Sequence, residues 1–270
     1  DAQESRGLGD VYKRQDKAVA TPAFFGSFKV LKNHDLSVRA FYKRMFRMPT
    51  FNDLYYTDMG NAFLKPEYAE QFNVGLKYTR NFEKSPFMRM LDVSVDAYYN
   101  KITDKIIAYP KGQQFRWTML NLGEVEIKGV DAVLNTQFSL GKLEVTTKFQ
   151  YTYQKAIDIT DPADTYYRDQ IPYIPWHSGS AIVALSWGTW SLGYSFIYVG
   201  ERYNQQENII YNHTQPWYTS DMTLMKEIRW GKARLRFTAE VNNLLDQDYD
   251  VILNYPMPMR NYKFGLAVEL

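Results

Sequence analysis

Apolar and polar residues alternate with a period of two along most of the chain. The clearest case is the last segment, 262–270, where Phe264, Leu266 and Val268 share one face and polar or small residues share the other. Successive side chains of a β-strand point to opposite faces, so this period predicts strands with one apolar and one polar face. Each face continues for about ten residues, the length of a tilted strand that crosses a membrane.

The same alternation predicts an all-β fold of about eleven strands, joined as an antiparallel meander, with almost no helix. The predicted strands lie near residues 21–32, 35–46, 69–81, 87–100, 122–139, 142–154, 176–187, 189–200, 217–229, 232–245 and 262–270. No stretch of the chain has the ~20 consecutive apolar residues of a spanning helix.

Tight and long connections alternate strictly between these strands. The tight ones fall at Asn33-His34, Glu83 to Pro86, Leu140 to Lys142, Gly188-Thr189 and Trp230 to Gly231, and the long ones near 47–68, 101–121, 155–175, 201–216 and 246–261. Outer-membrane barrels have short periplasmic turns and long extracellular loops, so the pattern favours such a barrel over a soluble sandwich. Single-chain bacterial barrels have even strand numbers, and an odd count therefore predicts part of a larger barrel.

Composition supports a barrel and excludes several other classes. Aromatic residues make up 16% of the 270 residues, which fits the aromatic girdles at both membrane interfaces. The net charge of +2, with acids and bases interspersed, makes nucleic acid an unlikely partner. Cysteine is absent, which excludes disulfides, thiolate metal sites and Cys nucleophiles. The three histidines, His34, His177 and His213, fall in separate predicted elements, and no catalytic motif accompanies them, so we expect no enzyme, no cofactor and no metal site.

The first fifteen residues do not fit the barrel pattern. Residues 1–15 show no alternation, and the run Gly7 to Gln15 resembles adaptor-derived sequence at the end of an assembled reading frame. We therefore expect 1–15 to be a non-native leader and 21–270 to be the barrel domain.

Two blocks of sequence carry a family resemblance. The first comprises Arg47, Pro49, Thr50, Phe51, Leu54, Tyr55, Lys65, Pro66 and Glu67, and the second comprises Asn243, Leu244, Asp246, Pro256, Pro258, Arg260 and Tyr262. Between them, Ile171 to Pro175 followed by His177 forms a third, shorter match. These blocks resemble TonB-dependent outer-membrane receptors, in the style of Bacteroidota. The chain departs from the family pattern at Met259, where glycine is usual, and at Leu270, where phenylalanine is usual.

The resemblance implies the C-terminal half of a 22-stranded transmembrane barrel, with the plug domain absent from this chain. It implies a place in the outer membrane of a Gram-negative bacterium and active import of a scarce nutrient, such as a ferric siderophore, cobalamin, haem or an oligosaccharide. The implied partners are membrane lipid, the N-terminal barrel half and plug, TonB acting through that plug, and the nutrient itself. A passive porin-like channel and a non-transporting surface barrel or binding module stay open as alternatives.

The candidate ligand contacts are aromatic and arginine residues of the predicted outer loops: Tyr55, Tyr56, Tyr166, Tyr167, Arg168, Arg202 and Tyr203. Aromatic planes and a fixed donor fork give contact area at low entropic cost, although girdle and rim roles fit these residues equally well. Four acids of the loop 155–175 (Asp158, Asp161, Asp164 and Asp169) supply oxygen donors of the kind that Ca²⁺ prefers, but a solvated acidic loop is the favoured interpretation. Charged residues on the predicted inner face would line either a plug or water: Arg39, Lys43, Lys77, Lys148, Arg234, Arg236 and Glu240.

Overall fold

Eleven strands form one antiparallel sheet in the computed structural model, which describes residues 18–31, 35–110 and 117–269. In sheet order they are β1 (Ala23–Lys29), β2 (Asp35–Arg47), β3 (Glu67–Asn81), β4 (Met88–Pro110), β5 (Trp117–Leu140), β6 (Leu143–Asp158), β7 (His177–Trp187), β8 (Trp190–Val199), β11 (Trp217–Trp230), β12 (Ala233–Asn242) and β15 (Asn261–Glu269). The meander and the strand count predicted from the alternation are confirmed.

The long connections contain the remaining short elements. These are the helix α1 (Phe51–Tyr55), the strand pair β9 (Arg202–Tyr203) and β10 (His213–Thr214), a 3₁₀ turn (Ile210–Asn212) and the strand pair β13 (Asp250–Ile252) and β14 (Tyr255–Pro256). Within the described residues, no helix is long and apolar enough to cross a membrane.

The prediction of a loop at 101–121 was wrong in its extent. β4 and β5 remain paired from Met88 as far as Pro110 and Trp117, well beyond the predicted strand ends. The alternation of apolar and polar residues predicts a strand end near residue 100. It stops there because the side chains beyond that point no longer face a different environment on each side of the sheet. Ile102 and Ile106 are instead buried, and Ile102 packs in one cluster with Val125 of β5 and Ile171 of the connection between β6 and β7.

The tight connections lie together at one end of the sheet, here called the turn end. Gly141, Gly188 and Gly231 have φ values of 67°, 59° and 61°, and each is the first residue after a strand. Residues with a side chain rarely adopt this left-handed conformation, so glycine allows the strands to reverse within two residues. The predicted turn at Asn33-His34, the leader 1–15 and Leu270 lie outside the described residues.

The strand register places the apolar residues on one continuous face. Leu76 of β3 pairs with Val95 of β4, which pairs in turn with Ala132 of β5. At the other edge, Phe264 and Leu266 of β15 are 79% and 60% exposed. Because directly paired residues point to the same side, the predicted apolar faces merge into a single surface that is open to the surroundings.

The opposite face carries paired charges and hydroxyls. Lys77 lies 3.5 Å from Asp92, and Lys263 lies 3.4 Å from Glu240 on the neighbouring strand. The Arg39, Lys43, Lys148, Arg234 and Arg236 side chains occupy the same face by register. The chain therefore forms a sheet with one apolar and one polar surface.

The main buried core lies at the other end of the sheet, here called the loop end. Its members are Ala69, Ile102, Leu122, Val125, Ile127, Ala156 and Ile171. Six of these belong to β3–β6, and Ile171 belongs to the connection between β6 and β7. Packing of Ile171 against the other six therefore attaches that connection to the sheet. Burial of this kind, at about 25 cal/mol per Å² of apolar surface, gives the loops a fixed position.

Candidate functional site

The first long connection, residues 48–66, is held by polar residues of the first motif. Thr50 accepts a hydrogen bond from the Asp53 backbone N–H, and the Asp53 carboxylate accepts one from the Thr50 N–H, which forms a capping box at the start of α1. Arg47 donates from Nη2 to Asp53 Oδ2 at 2.9 Å and lies 3.6 Å from Glu67. Arg47, Thr50 and Glu67 therefore fix the loop.

The end of this connection is attached to β5. The Lys65 N–H donates to Asn121 Oδ1 at 2.8 Å, and Asn121 Nδ2 donates back to the Lys65 carbonyl at 3.0 Å. Asn61 also donates to the Met119 carbonyl oxygen. A Cβ atom at Gly60 would lie 2.6 Å from the Leu54 carbonyl oxygen, so the tight fold after α1 requires glycine. The whole connection is thus a rigid platform.

Tyr55 and Tyr56 stand on this platform with their side chains exposed. Their residue surfaces are 40% and 58% accessible, and the ring of Tyr55 packs against that of Phe51 at 5.2 Å. Two accessible aromatic rings on a fixed backbone are suited to contact a ligand at low entropic cost.

The connection between β6 and β7 is anchored to the same extended hairpin. Thr160 accepts from the Glu124 N–H at 3.0 Å, and the Ile159 N–H donates to the Glu124 carbonyl. Asp158 and Asp161 accept from backbone N–H groups two residues further on and so act as turn residues. No group of three or more His, Cys, Asp or Glu side chains that could hold a metal ion occurs among the described residues.

Tyr166, Tyr167 and Arg168 lie together in a turn of this connection. The Arg168 N–H donates to the Asp158 carbonyl at 2.7 Å, and the Arg168 backbone has a φ of 71°. Burial, with the nearby Asp164 carboxylate, raises the pKa of Tyr166. Arg168 is exposed, so its guanidinium is available to a ligand.

Residues 159–176 and 200–216 are joined into one unit. The Asn208 N–H donates to Asp169 Oδ2 at 2.9 Å, and Asn208 Oδ1 accepts from the Gln170 N–H. The Tyr173 N–H donates to the Tyr203 carbonyl at 2.8 Å. Tyr203 and the Tyr166 to Arg168 turn therefore belong to one hydrogen-bonded assembly, whereas Tyr55 and Tyr56 belong to the separate platform.

Arg202 differs from its sequence-based prediction as a ligand contact. It is only 2% exposed, and its Nη2 atom donates to the carbonyl oxygens of Asp250 and Val251 at 2.9 and 3.0 Å. Burial lowers the pKa of the Arg202 guanidinium. Because the fork is directed at backbone atoms, Arg202 ties residues 200–216 to residues 243–260 and is not presented to solvent.

The closing motif folds the last long connection. Asn243 is 4% exposed; its Nδ2 donates to the Gln247 carbonyl at 2.8 Å and its Oδ1 accepts from the Gln247 N–H. Arg260 donates from Nε to the Leu244 carbonyl, and its N–H donates to Asp246. Met259 has no positive φ, so this position does not depend on the glycine that is usual in the pattern.

Sequence reasoning missed a cleft at the loop end. It lies between residues 213–217 and 247–256 and has a volume of about 700 Å³. Trp217 and Tyr249 on its wall are stacked, with ring centroids 4.6 Å apart. In the sequence Trp217 is only one of many aromatic residues near a strand end, and Tyr249 is brought to it only by the fold of residues 243–260.

The family follows from comparison with known proteins. The family model described as "TonB dependent receptor-like, beta-barrel" matches residues 1–244. The chain belongs to this TonB-dependent receptor family. It is therefore part of an outer-membrane protein of Gram-negative bacteria, and its sheet is part of a receptor barrel. From the general architecture of outer-membrane barrels, we expect the apolar face to contact lipid, the polar face to line the lumen, the turn end to be periplasmic and the loop end to be extracellular.

Named relatives of this receptor chain are transporters and receptors. It is 27% identical over 224 residues to the Vitamin B12 transporter BtuB of Photobacterium profundum, a match covering 80% of this chain and 32% of that protein. Two solved structures show the same fold. The copper transporter OprC aligns with a TM-score of 0.65 and 17% identity, over 93% of this chain and 39% of that one. The ferric-catecholate import receptor Fiu of E. coli aligns with a TM-score of 0.64 and 18% identity, over 91% and 34%.

The receptor chain spans about a third of the length of these relatives, between 32% and 39%. The described part corresponds to a segment of barrel and contains no plug domain.

Proposed function

We propose that this chain is part of an active outer-membrane importer. In this proposal the extracellular loops bind a scarce nutrient, and energy derived from TonB, transmitted through a plug supplied by the rest of the protein, admits the nutrient to the periplasm. The nutrient class suggested by the relatives is vitamin B12, a metal–siderophore complex or copper.

The observation that carries this proposal is the asymmetry between the two ends of the sheet. The periplasmic turns between β5 and β6, β7 and β8, and β11 and β12 are two residues long. The extracellular connections instead form a platform and an assembly fixed by buried polar contacts, such as the bonds of Asn208 and Arg202. Ordering so much loop structure costs conformational entropy, which is expected where a surface must bind a specific ligand.

We further propose that the sheet is half of a 22-stranded barrel. β1 and β15 each pair with a single neighbour in the described sheet. Open sheet edges do not occur in the hydrocarbon region of a bilayer, because an unpaired backbone group costs several kcal/mol there. The partners of these edges would be strands of the N-terminal half, and the polar face would surround the plug.

The test uses the full-length receptor, expressed in an Escherichia coli strain that lacks its own receptors for the nutrients tested. Uptake of radiolabelled cyanocobalamin, an Fe(III)–catecholate complex, Cu²⁺ and maltoheptaose is measured in otherwise identical cells with and without tonB. We expect uptake of one of these compounds to depend on both the receptor and tonB.

Two results would contradict the proposal. Receptor-dependent uptake that is equal in both strains would identify a passive porin-like channel. If none of the four compounds is taken up, with or without tonB and at normal surface expression, the result would favour a surface barrel that does not transport.

A further inference from the structure

The cleft at the extracellular end opens on the lumen side of the sheet. Trp217 is directly opposite Val199 of β8, and two-residue steps along β11 place it on the same face as Asp221. Asp221 accepts a hydrogen bond from the Asn243 N–H, which begins the connection that covers this face. The cleft therefore lies at the loop end of the lumen face, where a nutrient would pass.

The charge of the cleft is negative. Asp248 and Asp250 belong to its lining, and none of the described residues that line it is lysine or arginine. The Arg202 guanidinium is buried, donates a hydrogen bond to the Asp250 carbonyl and interacts electrostatically with Asp250. Arg202 therefore offsets part of the Asp250 charge, whereas Asp248 has no cation beside it in the cleft lining, so an anionic complex placed here would be repelled by the Asp248 carboxylate.

Two lining residues carry buried polar atoms that lack partners in the described part of the chain. These are Thr214 Oγ1 and Trp217 Nε1. Both groups can donate a hydrogen bond, and native proteins rarely leave such donors unpaired unless water or a ligand satisfies them. The stacked rings of Trp217 and Tyr249 add a flat apolar wall beside these donors.

From this combination, and resting on the proposed importer function, we infer the chemical class of the cargo. We propose that the cleft binds an uncharged organic ligand that presents amide or hydroxyl oxygens to Thr214 and Trp217 and an apolar surface to Tyr249, and that it rejects anionic metal complexes. Bare metal ions do not fit, since His213 is engaged by Glu201 at 3.3 Å and no metal-binding group of three side chains occurs among the described residues.

The test measures binding to the purified full-length receptor in detergent. The probes are cyanocobalamin and maltoheptaose, which are uncharged, and an Fe(III)–catecholate complex, which is anionic. The variant W217F keeps an aromatic ring beside Tyr249 but removes the N–H donor, and T214V keeps the side-chain shape but removes the hydroxyl. E83Q is the matched control, because Glu83 is an exposed acid in the turn between β3 and β4, at the opposite end of the sheet from the cleft.

We expect at least one uncharged probe to bind the parent receptor, and its Kd to rise about tenfold in the W217F/T214V double variant, which corresponds to about 1.4 kcal/mol. E83Q should leave that Kd unchanged. Heat-modifiable electrophoretic mobility reports whether each variant is folded, and the single variants provide the comparison if the double variant is not.

Two outcomes would overturn the assignment. One is that neither uncharged probe binds; the other is that an uncharged probe binds with the same Kd in the parent, W217F and T214V. If either outcome is found and the receptor nevertheless imports the Fe(III)–catecholate complex in a tonB-dependent manner, the importer function stands and only the cleft assignment fails. If no compound shows tonB-dependent uptake, the function itself fails.

Discussion

Arg39 on β2 and Asp96 on β4 form an ion pair across the strand that separates them, with 3.0 Å between Arg39 Nε and Asp96 Oδ1. The pair passes over Gly75 of β3, where the absence of a side chain leaves room for it. A Cβ atom at Gly75 would overlap the Asp96 carboxylate and lie 2.9 Å from Arg39 Nε. The lumen face thus links three strands through an ion pair that a side chain at position 75 would displace.

We expect G75A to displace the carboxylate and destabilise the barrel by about 1–2 kcal/mol, which is the scale of one partly buried charged hydrogen bond. The urea midpoint of the full-length receptor, followed by heat-modifiable mobility, measures this loss. The same substitution in a D96A background should cost less than half as much, because the overlapping group is gone. Equal costs in both backgrounds would show that the cross-strand pair is not what Gly75 accommodates.

The strand pattern was predictable from sequence because a lipid-facing strand must alternate, and the register fixes each alternation against its neighbours. The extension of the β4–β5 hairpin beyond Asn100 and the roles of Arg47 and Arg202 could not be predicted from the sequence. Beyond Asn100 the periodic signal of a lipid-facing strand is lost because Ile102 and Ile106 are buried, Ile102 against Ile171 of the connection between β6 and β7. In the sequence, an arginine in a loop is interpreted as a hydrogen-bond donor to a ligand. Only the fold shows that Arg202 donates instead to the carbonyl oxygens of Asp250 and Val251.

Removal of Arg47 should loosen the platform of residues 48–66. In R47A the Asp53 carboxylate, whose side chain is 11% exposed, keeps the Thr50 N–H but loses its cation. Leaving a buried carboxylate without its charged partner costs about 2 kcal/mol locally. We expect faster cleavage of this loop by added chymotrypsin in intact cells, at Phe51, Tyr55 or Tyr56.

K84A is the control for R47A, because Lys84 is an exposed cation in a periplasmic turn. Equal cleavage rates in R47A and the parent receptor would mean that the capping box alone holds the loop.

Substitution of Arg202 should uncouple two extracellular segments. R202M keeps most of the buried side-chain volume but loses both hydrogen bonds to Asp250 and Val251. Charged hydrogen bonds are worth about 1.5–3 kcal/mol each, partly offset by relief of the guanidinium's desolvation, so we expect a net local loss of about 2 kcal/mol. Hydrogen–deuterium exchange should become faster in residues 247–256 while the strands stay protected.

R229M is the matched control, since Arg229 is exposed near the periplasmic end of β11. If R202M and R229M exchange alike in residues 247–256, Arg202 does not hold that segment.

Alkaline pH should open the cleft through Tyr249. Burial, together with the nearby Asp221 carboxylate, raises the pKa of Tyr249 above its ordinary value of 10.0. The unfolded segment therefore releases its phenolic proton at lower pH than the folded one, so the stability of the segment is full below about pH 10 and is lost as pH rises through the raised pKa. Exchange of residues 247–256 should accelerate above that pH in the parent and less in Y249F, which keeps the ring stacked on Trp217. An identical pH profile in Y249F would assign the opening to another group.

Substitutions at the two ends of the barrel should differ in their effect on ligand capture. Y55A, Y56A, Y166A, Y167A, R168A and Y203A remove side chains from the extracellular platform and assembly, whereas E83A and K84A remove charges from a periplasmic turn. Because a nutrient arrives from outside, we expect at least one extracellular substitution to weaken the binding affinity tenfold or more, which is the scale of an aromatic or arginine anchor. We expect no substitution in the periplasmic set to have such an effect. Binding of the cargo identified by uptake is measured on intact cells at equal surface expression. Similar losses from the two sets would show that either the sidedness of the sheet or the location of the site is wrong.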